Sequence, residues 1–165
     1  MKKYEFTGET KEIRLLFRTA TLHRIRATVA FGIVEVGDLG GWIEKEENLS
    51  HEGKAWVCGD AEVWGNAKVC GDAKVCGDAE VFSASHVLVI GAIGSRNDFT
   101  TFYRDKDNEI TVKCGCFLGK IDRFLEKVTQ THGDSKYALV YRAAVEVAKL
   151  QIDLSGEAPK DADEE

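Results

Sequence analysis

Apolar positions recur every six residues through the middle of the chain. From Gly53 the hexads read GKAWVC, GDAEVW, GNAKVC, GDAKVC and GDAEVF. Val57, Val63, Val69, Val75 and Val81 mark one register, and Val87 and Ile93 extend it; Ala55, Ala61, Ala67, Ala73 and Ala79 stand two residues before the hexad valines. Residues two apart share a face of an extended strand, so each Ala-x-Val unit turns both apolar groups inward. The preceding Gly-Asp or Gly-Asn suits a corner, because these residues accept turn and left-handed conformations. A short strand and a corner every six residues predicts a β-solenoid. The beat weakens after Phe82: SASHVL loses Gly and Ala, and VIGAIG keeps only the apolar positions.

The flanks carry other periods. Lys3–Thr7 alternates, and Glu12–Phe31 is rich in β-branched and apolar residues, which predicts strands. Gly37 and Gly40–Gly41 predict a tight turn ahead of the repeats, with Trp42 and Ile43 sealing an open end. Phe99–Phe117 reads as a β-hairpin turning at Asp107-Asn108. Ile121, Phe124, Leu125 and Val128 form the stripe of one helix, closed by Gly133. Asp134 or Ser135 opens a second, with Tyr137, Val140, Tyr141, Ala144 and Ala148 on one face. The expected layout is a β-rich N-terminal cap over 1–50, hexads over 51–96, and an α+β unit of hairpin and two helices over 97–154. An acidic tail over 155–165 is expected to be disordered.

Composition narrows the partners. A formal net charge of −6 argues against non-specific binding to nucleic acid or anionic membrane. No run reaches the roughly 18 apolar residues of a membrane helix, and the N-terminus lacks the apolar core of a signal peptide. Five cysteines without a secretion signal predict free thiols in a reducing compartment, hence the cytoplasm.

The hexads resemble the left-handed parallel β-helix family, the hexapeptide-repeat proteins. More narrowly, GDLGGWIEKEENLSHEGKAWV followed by G-[DN]-A-x-V repeats resembles an uncharacterised phage- and prophage-encoded group, which would make the cytoplasm that of a bacterial host. The resemblance implies a mainly β fold: a short left-handed parallel β-helix with the N-terminal cap and C-terminal unit described above. It also implies about eighteen residues per three-hexad coil. Residues i and i+18 then stack about 4.7–4.9 Å apart, placing Cys58 by Cys76, Trp64 by Phe82, Glu62 by Glu80 and Cys70 by Leu88. So few coils need caps or partners, and Trp64 and Phe82, expected to point outward, suggest an interface of a homo-trimer or other homo-oligomer.

Hexapeptide-repeat folds are best known as coenzyme-A-dependent acyltransferases with a histidine general base, which here would be His86 or His51. His86 is expected on the surface, and the hexads run without the insertions that shape such pockets. Cys114 and Cys116 share the parity of Ile110 and Val112, predicting burial as small apolar groups. No ligand set for a metal and no cofactor motif is present. Aromatics beside cations can stack a base and hold a phosphate, which marks Trp56, Trp64, Phe82, Lys68, Lys74 and Arg96 as candidate binding residues.

The sequence therefore favours a non-enzymatic binding protein of phage or prophage type. It would neutralise a host defence protein or sequester a nucleotide-like signal in clefts between subunits. A small acyltransferase and a purely structural oligomerisation scaffold are the alternatives.

Overall fold

Residues 2–155 are described by the computed structural model, and the fold class is mainly β. The N-terminal part contains β1 (Tyr4–Arg14), β2 (Thr19–Ala27) and β3 (Leu39–Ile43). The hexads contribute two-residue strands: β4 (Trp56–Val57), β5 (Glu62–Val63), β6 (Lys74–Val75) and β7 (Glu80–Val81). Then come β8 (Val87–Ile93), β9 (Asp98–Arg104), β10 (Ile110–Cys114) and β11 (Phe117–Lys120). Helices α1 (Ile121–His132) and α2 (Lys136–Gln151) follow.

The expectation of a left-handed β-helix is corrected by the sheet topology. The strands divide among a five-stranded sheet in the order β1-β2-β3-β5-β7, a four-stranded sheet β11-β10-β9-β8 and a two-stranded ladder β4-β6. The first sheet is mixed: β1, β2 and β3 pair antiparallel, while β3, β5 and β7 pair parallel. Of the hexad strands, β5 and β7 thus extend the N-terminal sheet, while β4 and β6 form a ladder of their own. Residues 65–70 hold no strand, only the isolated bridge of Val69 with Leu49. Val87 and Ile93, expected to continue the repeat, lie in β8, which pairs antiparallel with β9. The physical cause is in the sequence: after Phe82 the Gly corners and Ala positions disappear, so nothing returns the chain to the hexad path.

Local geometry within the hexads follows the Ala-x-Val pattern. The five hexad alanines and five hexad valines are all at most 2% exposed. Gly53, Gly59, Gly65, Gly71 and Gly77 turn the corners with φ between 62° and 72°, the left-handed region that other residues rarely adopt. Trp56 pairs with Lys74 and Glu62 with Glu80 in parallel register. β3 lies so close to this stack that a Cβ on Gly40 or Gly41 would meet the Val57 or Ala61 carbonyl oxygen at 2.7 Å. That contact explains the paired glycines. Trp42 does not seal an open end: it is a buried member of β3, packed with Leu22, Trp64 and Phe82.

Side chains close the stack at both ends. At one, Lys3 Nζ donates to the Ala55 carbonyl at 2.6 Å and Tyr4 Oη to the Leu49 carbonyl at 2.7 Å. Burial of Lys3 lowers its pKa to about 8. At the other end, the Lys74 amide donates to Thr101 Oγ1 and the Cys76 amide to Tyr103 Oη. Tyr103 Oη donates back to the Cys76 carbonyl, and Arg104 Nη1 donates to the Glu80 carbonyl.

The helices lie against the four-stranded sheet. Phe124 and Val128 of α1 and Tyr141, Ala144, Val145 and Ala148 of α2 bury with Phe102, Ile110 and Val112 in a separate core. Gly133 ends α1 with φ 57°, and its amide donates to the Thr129 carbonyl. The acidic stretch from residue 156 onward, expected to be disordered, lies outside the described residues. Among the described residues, no helix is long and apolar enough to cross a membrane.

Candidate functional site

The hexad ladder β4-β6 forms the floor of a cleft of about 460 Å³. Trp56 and Cys58 come from one rung, and Lys74 and Cys76 from the next. The loop between β2 and β3 supplies Phe31, Ile33 and Val34, and β3 supplies Leu39; the β10–β11 hairpin supplies Lys113 and Leu118. The lining is chiefly apolar. Phe31 and Trp56 form a T-shaped pair with ring centroids 5.3 Å apart, and Trp56 is only 6% exposed, so it offers the cleft little free surface. Ile33, Leu39 and Leu118 are exposed apolar groups on the walls.

Lys54, Lys74 and Lys113 stand among these apolar groups. Lys113 Nζ donates to the Gly115 carbonyl at 2.6 Å. Its pKa is lowered first by burial and then by the positive charge of Lys74. Two ammonium groups that disfavour each other among chiefly apolar walls create a position that an anion would relieve. Asp38 also lines the cleft, but its Oδ2 accepts the Glu35 amide at 2.8 Å.

Cys58 and Cys76 are joined as a disulfide, with Cα atoms 4.6 Å apart and a sequence separation of 18 residues. The expectation of free thiols is corrected for this pair; Cys70, Cys114 and Cys116 are free. Adjacent parallel rungs bring directly stacked positions within disulfide reach.

The six binding candidates do not converge. Trp56 and Lys74 share the cleft. Trp64 and Phe82 were expected to face outward and are instead 5% and 7% exposed, with ring centroids 4.9 Å apart. β1 and β2 roof them: Leu22 packs in the same cluster, with Ile13 and Leu15 against it. The interface reading of this pair is thereby corrected, because the chain covers its own aromatics. Lys68 is exposed and lines neither this cleft nor the one that holds Arg96.

Arg96 lies instead at a smaller cavity of about 180 Å³ with Cys114, Lys127, His132 and Tyr141. Burial and then the neighbouring Cys114 push the Tyr141 pKa up to about 12. Cys116 is exposed rather than buried, because Gly115 turns with φ 57° and breaks the strand parity. Among the described residues, no three His, Cys, Asp or Glu side chains converge as metal ligands.

Neither histidine is placed as a general base. His86 was expected on the surface but is 5% exposed, and its Nδ1 accepts the Phe82 amide at 3.2 Å. Burial, and then Arg104, lower its pKa to about 4. His51 Nδ1 accepts the Lys3 amide at 3.0 Å, its ring stacks on Tyr4, and burial lowers its pKa.

Phe31, Lys113 and Leu118 carry no repeat signal and were not marked by sequence pattern. The pairing of Trp56 with Lys74 was within reach, since the same eighteen-residue offset applies to the fourth hexad position. No protein-family model matches the chain, and no curated protein matches it.

Proposed function

We propose that the protein is a non-enzymatic binding protein for a small anion with an apolar body, held in the cleft between the hexad ladder and the β10–β11 hairpin. The observation that carries this reading is the placement of Lys54, Lys74 and Lys113, three cations against the one carboxylate of Asp38, in a chiefly apolar lining. Pockets with apolar walls and a few convergent polar groups are the usual form of small-molecule sites. The cleft is complete within one chain, so binding needs no cleft between subunits. Nucleotide-like signals remain the class to test first, and sequestering one would suit the phage-type resemblance. The burial of Trp56 favours ligands held by apolar contact with the walls over ligands stacked on its ring face.

Calorimetry with cyclic and linear nucleotides, and with 8-anilinonaphthalene-1-sulfonate as a generic apolar anion, tests the reading. At least one should bind, and Lys74→Glu should weaken it about tenfold or more, the effect of removing a cation and installing a like charge. Failure of every anion to bind would sink the proposal.

A further inference from the structure

The cleft wall contains a bond that can be broken without taking the wall down. Cys58 is half-buried and Cys76 is 7% exposed, and both line the cleft beside Lys74. The rungs that carry them are held independently of the sulfurs. The Cys58 amide donates to the Val75 carbonyl at 2.9 Å, and the Trp56 amide to the Ala73 carbonyl at 3.0 Å. Cys76 is clasped through both its backbone groups by Tyr103 Oη.

A staple whose only task is stability gains nothing from facing an open, cation-rimmed cleft. Exchange requires access to one sulfur, and a positive field speeds it by gathering the attacking thiolate. We propose that the Cys58–Cys76 disulfide is a thiol–disulfide exchange site for small anionic thiols, drawn in by Lys54, Lys74 and Lys113. This rests on the cleft reading above for its electrostatics, and adds a covalent, redox-dependent state to the same site.

The chemistry balances. An incoming thiol loses its proton to solvent, and its thiolate attacks Sγ of Cys58, the more exposed of the two residues. A mixed disulfide forms at Cys58, the Cys58–Cys76 bond breaks, and Cys76 leaves as a thiolate. A second thiolate attacks the reagent sulfur of the mixed disulfide and releases Cys58. The two cysteine thiolates take up protons from solvent. Two thiols are oxidised to one small disulfide while the protein disulfide is reduced to two thiols.

The test begins with protein purified without reductant. Titration in denaturant should find three thiols, matching Cys70, Cys114 and Cys116; five would overturn the proposal at once. Native protein is then reduced with 2-mercaptoethanesulfonate or with cysteamine. Each rate is divided by that thiol's rate on a small neutral disulfide, which removes intrinsic nucleophilicity. The normalised rate should favour the anionic thiol by about tenfold, a modest electrostatic focusing effect. High salt should abolish the preference, as should the combined Lys54→Gln, Lys74→Gln and Lys113→Gln variant. The far-UV circular dichroism should not change on reduction. An absent preference, or reduction that proceeds only with loss of the dichroism, would overturn the proposal. Dye titration of the Cys58→Ser/Cys76→Ser variant separates the two readings. Absence of anion binding there and in the wild type sinks the binding reading, whereas the exchange reading stands or falls on the rates.

Discussion

Cys58 and Cys76 fill the sixth position of their hexads on successive rungs, and so do Trp64 and Phe82 one face further on. Their fates differ. The cysteines form part of the wall of an open cleft, while the aromatics are sealed beneath β1 and β2 with Leu22 and Trp42. The repeat position sets the direction in which a side chain leaves the stack. What then covers that face is decided by segments with no repeat at all. Over the aromatics lie the strands and hairpin turn that carry Ile13, Leu15 and Leu22; over the cysteines there is only a loop and the flank of a hairpin.

The comparison can be broken most forcefully at the covered face. Trp64→Ala should cost about 4 kcal/mol, because it empties a buried site whose neighbours are fixed by sheet pairing. Urea unfolding would read it, and a cost below about 1 kcal/mol would show the face to be open. At the uncovered face, the Cys58→Ser/Cys76→Ser pair should cost about 3 kcal/mol, the entropy of releasing an 18-residue loop. The fold should persist, because the backbone ladder beside the disulfide is intact.

Acid should discriminate between the faces too. His86 packs edge-on against Phe82 with centroids 4.4 Å apart and is held neutral, with a pKa of about 4 against an ordinary 6.5. The unfolded chain takes up this proton first, so His86 leaves stability undiminished above pH 6.5 and erodes it as pH falls from there toward 4. The full loss is about 3 kcal/mol. His86→Asn, which keeps an acceptor for the Phe82 amide, should flatten that part of the pH–stability curve. Smallest of all, Lys74→Gln at the cleft should change stability by no more than about 0.5 kcal/mol while weakening anion binding in the same calorimetric assay.

Much of the local structure was legible from residue pattern. The Ala-x-Val beat predicted which side chains the rungs bury, and the Ile121–Val128 stripe and Gly133 predicted α1 and its end. The assembly was not legible. Nothing in Thr19–Ala27 announces that β2 and its partner will roof Trp64, because an alternating strand is compatible with many neighbours. Val87 and Ile93 fit the six-residue beat, yet the loss of Gly corners after Phe82 lets them pair with β9 instead. The cleft was half legible: Trp56 and Lys74 meet by rung arithmetic, whereas Lys113 and Leu118 arrive through hairpin docking that carries no local signature.

The clasp of β9 on the last rungs has a consequence for growth. A parallel ladder that ends with open N–H and C=O groups is a template on which further strands, including those of other molecules, can settle. Here Thr101, Tyr103 and Arg104 occupy backbone groups at Lys74, Cys76 and Glu80. The molecule therefore carries its own stop against filament formation at that end.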